Sequence, residues 1–157
     1  MAKQDTPHAP LGDASPFRFA VIVSRFNESI TFSLRDAAGV QVFDVPGAYE
    51  LPQAARAAAE SGAFDAIVCL GCVIRGETPH FDYISSAVAH GITTAAGDTG
   101  VPMAFGVLTT NTLEQAQERA GPGDDNKGRE AAAAAIEMAA LCKRLATLPS
   151  RTAGFRA

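Results

Sequence analysis

Four short runs of apolar, mostly β-branched residues recur along this chain with helix-forming stretches between them, and no other feature narrows its fold as much. The runs are Phe17–Ser24, Val40–Val45, Ala66–Gly71 and Met103–Leu108. Each is short and almost wholly apolar, the pattern of a strand buried on both faces. The stretches between them read as helices. Glu28–Ala38 is opened by Asn27 and stopped by Gly39, and Glu50–Ser61 is closed by Gly62. Phe81–His90 is ended by Gly91, Thr109–Thr112 opens a helix containing Leu113, Ala116 and Ala120, and Glu130–Leu145 is alanine-rich. Caps and glycine stops of this kind mark helix ends. Ile92–Ala96 reads as one further short strand, followed by a turn at Gly97–Pro102. Strand and helix alternating in this way predict a parallel sheet with helices on both faces. Gly106, inside an apolar run, predicts a close approach of two backbones.

Length and charge remove several classes of function. A chain of 157 residues, 47% hydrophobic, is most simply one domain with a sizeable core. We expect loose tails over residues 1–16 and 148–157. Seventeen acidic against thirteen basic residues give a formal charge of −4, which speaks against nucleic acid as a partner. No apolar run approaches the roughly 20 residues of a membrane span, and the polar N-terminus lacks the apolar core of a secretory signal. The three cysteines follow no framework spacing. Cys69 and Cys72 form a C-x-x-C, but an offset of three along a strand sends the side chains to opposite faces. Buried thiols in a reducing cytoplasm are the better reading than zinc or a dithiol pair.

Two loops carry candidate chemistry. After the third run, Arg75, Gly76, Glu77, Thr78, Pro79 and His80 lie consecutively before a helical pattern. In open α/β sheets ligands sit where strand ends meet helix starts, and a helix start favours an anion. An imidazole there moves protons near neutral pH. An ordinary surface turn with a solvated histidine fits the same spacing, and spacing alone leaves the two open. The second loop, Gly121–Gly128, is glycine-rich and flanked by Arg119 and Lys127. It suits a phosphate cradle, or equally a helix end with two solvated cations. It is not the nucleotide loop G-x-x-x-x-G-K-[ST], because Arg129 follows Gly128. Glu50, at a helix start, suits binding of a polyol or amine, or simply its own helix dipole, worth a few tenths to about 1 kcal/mol.

Taken together the motifs RFN, VPGAYELP, GCVIRGETPHFDY, TGVPMAFGVLTTNTLEQAQERAG and NKG resemble the lumazine synthases of riboflavin biosynthesis. The resemblance covers Phe19 to Leu145, with five motifs in order. It implies a flavodoxin-like three-layer α/β/α sandwich with a four-stranded parallel sheet. It also implies the condensation of 5-amino-6-(D-ribitylamino)uracil with 3,4-dihydroxy-2-butanone 4-phosphate, a transferase reaction that needs no metal or organic cofactor. The implied assembly is a homopentamer, twelve of which make a hollow icosahedral shell in many members, and riboflavin synthase is an implied partner.

Carried over residue by residue, the resemblance implies that Phe26 stacks on the pyrimidine. Ala48, Tyr49 and Glu50 line the uracil and ribityl site, and Cys72, Val73 and Ile74 give it backbone contacts. Glu77 and Thr78 meet the phosphate, His80 shuttles protons, and Phe105, Arg119 and Lys127 complete the pocket. Phe105 and Arg119 are implied to come from the adjacent subunit. Between RFN and VPGAYE the chain is shorter than the family pattern, so the first helix is expected to be shortened and to leave apolar surface exposed. The loop GPGDDNKG also lacks the family's glycine just before NKG. A non-catalytic scaffold and a flavin-binding relative are the alternatives, and the joint presence of Phe26, Glu50, His80, Arg119 and Lys127 favours the enzyme.

Overall fold

A computed structural model describes residues 12–25, 40–123 and 125–150. The four apolar runs become four parallel strands: β1 Phe19–Ser24, β2 Gln41–Val45, β3 Ala66–Ile74 and β4 Met103–Thr110. They lie in the order β2-β1-β3-β4. β1 pairs with β3 from Phe19↔Ala66 to Val23↔Leu70, and β3 pairs with β4 from Ile67↔Met103 to Ile74↔Thr110. β3 therefore runs four residues past its last pair with β1. A 3₁₀ turn at Ala48–Glu50 leads into α1 Leu51–Glu60, followed after β3 by α2 His80–Thr99 and after β4 by α3 Leu113–Ala120 and α4 Lys127–Ala146.

Side chains alternate across each strand, so each face of the sheet has its own core. Phe19, Val21, Val23, Val68, Leu70, Ala104 and Leu108 meet the alanines of α3 and α4. Ala20, Ile22, Ile67, Val73 and Val107 meet Leu51, Ala55, Val88 and Ile92 of α1 and α2. The expected three-layer α/β/α sandwich on a four-stranded parallel sheet is what the described residues form. Ile22, Leu51, Ile67 and Leu70 are fully buried, each worth about 1.5–3 kcal/mol relative to exposure. Cys69 and Cys72 fall in different cores, as their offset required. The expected approach at Gly106 is also found. A Cβ there would lie 3.1 Å from the backbone oxygen of Cys69, and also 2.5 Å from Leu70 Cδ2 and 3.1 Å from Ala131 Cβ.

Four boundaries differ from the sequence reading, the first being β4, which runs to Thr110 rather than Leu108, so that Thr109 and Thr110 extend the strand and do not open a helix. Ile92–Ala96 is not a strand, and Gly91 does not end a helix, because α2 continues to Thr99. Gly91 sits where α2 crosses α1, and a Cβ there would lie 2.7 Å from Pro52 Cβ. Its smallness serves packing, and the true stop is Gly100, with φ 71° and its N–H donating to Ala96 O. β3 is longer than Ala66–Gly71, because Cys72, Val73 and Ile74 continue the ladder with Leu108, Thr109 and Thr110. α4 starts at Lys127 rather than Glu130, because Asn126 Oδ1 accepts from Gly128 N and Arg129 N. The helix expected at Glu28–Ala38, together with Phe26 and Asn27, lies outside the described residues. On the adjacent strand, Val42 is 37% and Phe43 43% exposed.

Candidate active site

His80 is the first residue of α2 and is exposed. Glu77 and Thr78 lie just before it in the exposed loop that leaves β3. Pro79 occupies the helix cap and supplies no side-chain acceptor. Arg75 holds the loop instead. Its Nη2 donates to Asp82 Oδ1 at 2.8 Å and Nη1 to Asp82 Oδ2 at 3.2 Å. The hydrogen bond from Arg75 draws the Asp82 carboxyl below its usual range. That contact is therefore present above the ordinary aspartate value of about 3.9 and is lost as the pH falls through the lowered one.

Ala48, Tyr49 and Glu50 form the 3₁₀ turn after β2, which packs against α2 and the ends of β1 and β3. Ala48 is buried, Tyr49 exposed and Glu50 half-buried. Glu50 occupies the cap position of α1, yet its side chain makes no capping hydrogen bond. Cys72 and Val73 are buried in the sheet and Ile74 half-buried at its end. Burial pushes the Cys69 thiol up to about 12 and that of Cys72 to about 11. Neither is a nucleophile at neutral pH.

Phe105, Arg119 and Lys127 come together elsewhere. With Gly106, Thr109, Glu130 and Ala131 they line a cleft of about 370 Å³ beside the outer strand β4. Thr112 opens α3 by accepting from Gln115 N, which sets the helix that carries Arg119. Arg119 Nη1 donates to Gln115 O at 2.8 Å. Lys127 Nζ donates to Glu130 Oε1 at 2.7 Å and Oε2 at 2.8 Å. An anion entering this cleft would meet an arginine and a lysine already held in place.

The candidate residues thus fall into two groups in one chain. His80, Glu77, Thr78, Ile74 and the Ala48–Glu50 turn belong to the ends of β2 and β3. Phe105, Arg119 and Lys127 line the cleft, whose walls include neither His80 nor Glu50. Phe26 lies outside the described residues. Sequence reasoning missed Glu130, which neutralises Lys127, and Asn126, which caps α4. Both carried a signal: an acid three residues after a lysine on a helix, and an asparagine before a helical run. Among the described residues no group of three or more His, Cys, Asp or Glu side chains could hold a metal ion. No helix there is long and apolar enough to cross a membrane.

A parallel sheet between two helical layers, with polar groups at its strand ends and cations in a lateral cleft, is the architecture of an α/β protein acting on a small polar ligand. The particular family follows from comparison. The family model for 6,7-dimethyl-8-ribityllumazine synthase matches residues 16–143, and the chain belongs to that family. A 6,7-dimethyl-8-ribityllumazine synthase of Syntrophus aciditrophicus is 50% identical over 144 residues, covering 84% of this chain and 94% of the relative. One of Salinibacter ruber is 49% identical over 140 residues, covering 82% and 90%.

Proposed function

We propose that this protein is a transferase that condenses 5-amino-6-(D-ribitylamino)uracil with 3,4-dihydroxy-2-butanone 4-phosphate, the penultimate step of riboflavin biosynthesis. The observation that carries the reading is family membership along nearly the whole chain, with relatives about half identical that bear that name. The 5-amino group adds to the ketone and water leaves. Phosphate is eliminated, and the ring closes with loss of a second water. Every step moves a proton, which suits an imidazole at His80. Departing phosphate is stabilised by fixed cations, here Arg119 and Lys127, with Glu77 and Thr78 in the loop. Phe26, Ala48, Tyr49 and Glu50 hold the uracil and its ribityl chain, with backbone contacts from Cys72, Val73 and Ile74. Most of the acceleration comes from keeping two substrates in register.

The site is shared between copies. What supports this is the cleft of Phe105, Arg119 and Lys127, whose lining omits His80 and Glu50. A neighbouring copy would present its cleft to the strand ends of the first, giving a homopentamer or a shell of twelve pentamers in the cytoplasm. Incubation with both substrates, followed by lumazine absorbance and fluorescence, tests the activity, and absence of product removes it. Arg119→Ala should raise KM for the phosphorylated substrate about tenfold, the loss of one charged hydrogen bond. An unchanged KM there removes the phosphate assignment. A particle that scatters light as a monomer removes the shared site.

A further inference from the structure

Arg75 lies where β3 passes into the loop that carries His80, and this one residue ties the ends of β3 and β4 to α2. Its backbone N–H donates to Thr110 O at 2.9 Å, anchoring it to the end of β4. Its Nε donates to Asn111 Oδ1 at 3.1 Å, just beyond that strand. The two terminal nitrogens clasp the Asp82 carboxylate in a fork, and the guanidinium carbon stands 4.4 Å from the centroid of the Phe81 ring. Phe81 and Asp82 are the two residues that follow His80. The first turn of α2 is thus gripped on both a ring and a carboxylate by a residue fixed to the sheet.

Among the described residues no side chain caps this helix start. Pro79 at the cap offers no side-chain oxygen, and the turn is otherwise closed by the Asp82 and Tyr83 amides donating to Pro79 O at 3.0 and 3.4 Å. The Arg75 and Asp82 side chains are 43% and 57% exposed. An ion pair so open to water adds little to global stability. Its bidentate and stacked geometry nevertheless fixes direction in a way that a lysine, with one point charge, does not.

We propose that Arg75 is a positioning residue for His80, holding the first turn of α2 so that the imidazole keeps its place at the strand end. The proposal rests on the reading of His80 as the proton shuttle. The test compares Arg75→Ala, Arg75→Lys, His80→Ala and the double variant Arg75→Ala/His80→Ala in the condensation assay. Arg75→Ala should lower kcat about tenfold with KM for the phosphorylated substrate nearly unchanged. Arg75→Lys should recover little of the loss. The double variant should be no slower than His80→Ala, because the two residues act through one group. In Arg75→Ala the Asp82 and Tyr83 amides should exchange faster, while the global melt stays close to wild type. Asp82→Asn, which leaves Arg75 in place, should repeat the kcat loss in milder form and supplies the comparison if Arg75→Ala does not fold. Wild-type kcat in Arg75→Ala beside a slow His80→Ala overturns the positioning role alone. Losses that multiply in the double variant overturn it too, since Arg75 would then act independently. Wild-type kcat in His80→Ala overturns the proton-shuttle reading and the positioning role with it.

Discussion

Two of the helix starts that bear candidate site residues, those of α2 and α4, are built in opposite ways. α4, which opens with Lys127, is capped by Asn126, itself only 4% exposed. Its Oδ1 accepts from two amides of α4, and its Nδ2 donates to Ala120 O at 3.1 Å and Gly121 O at 2.9 Å. One buried amide thus staples the end of α3 to the start of α4, and with them Arg119 to Lys127. α2, which opens with His80, has no such cap and relies on an exposed arginine from outside the helix. The cationic corner is joined through a buried amide, whereas the histidine loop is held from its surface. A group that must bind an anion gains from rigidity. The proton-carrying group also depends on its place, and an exposed ion pair is what holds it there.

The largest effect that would break this contrast lies under the cleft. Gly106 is surrounded by Leu70, Ala131 and the carbonyl oxygen of Cys69 at 3.1 Å. Leu70 can shift, but backbone cannot. Gly106→Val should cost about 3 kcal/mol through overpacking and distort the cleft. In the histidine loop, by contrast, nothing lies within 4 Å of a Cβ placed at Gly76. Gly76→Ala should stay within about 0.5 kcal/mol of wild type. Denaturant midpoints of the two variants measure the difference, and equal shifts would show that the corner is no more rigid than the loop. Next in size is Asn126→Ala, which removes a cap and leaves buried carbonyls without their donor. It should cost about 2 kcal/mol and weaken phosphate binding at Lys127. A variant that loses stability yet binds phosphate normally would separate the cap from the cleft.

That contrast was only half legible in the sequence. The parallel sandwich was readable because four buried strands announce themselves by apolar runs, and the family by motifs in order. The length of α2 was not. Gly91 looks like a stop, and Ile92, Thr93 and Thr94 are β-branched, so local propensity favoured a strand. The helix persists because Ile92 buries against the sheet, Ala95 is also buried, and Gly91 lets α1 come close. That is tertiary packing overriding propensity. The tie from Arg75 to Asp82 crosses from a strand end to a helix and follows no helical or strand period, so no pattern exposes it. The division of candidate residues between strand ends and cleft was legible only through the family resemblance, since it depends on where β4 lies at the edge of the sheet.

The smallest expected effect sharpens the contrast from the cationic side. Lys127 and Glu130 pair at 2.7 Å with side chains 41% and 36% exposed. A half-exposed pair three residues apart on a helix contributes well under about 1 kcal/mol to stability. Its electrostatic effect on the cleft is larger in proportion, because the Glu130 carboxylate cancels much of the charge that Lys127 offers an anion. Glu130→Gln keeps the length of the side chain and removes that cancellation. Inorganic phosphate should then bind about threefold more tightly at low salt, the gain fading as salt approaches the range where the Debye length falls below about 10 Å. Calorimetric titration at two salt concentrations reads both parts of the expectation, with thermal melts close to wild type. Weaker binding in Glu130→Gln would mean that the carboxylate chiefly aims the lysine, and the cleft would then depend on an orienting ion pair as the histidine loop does.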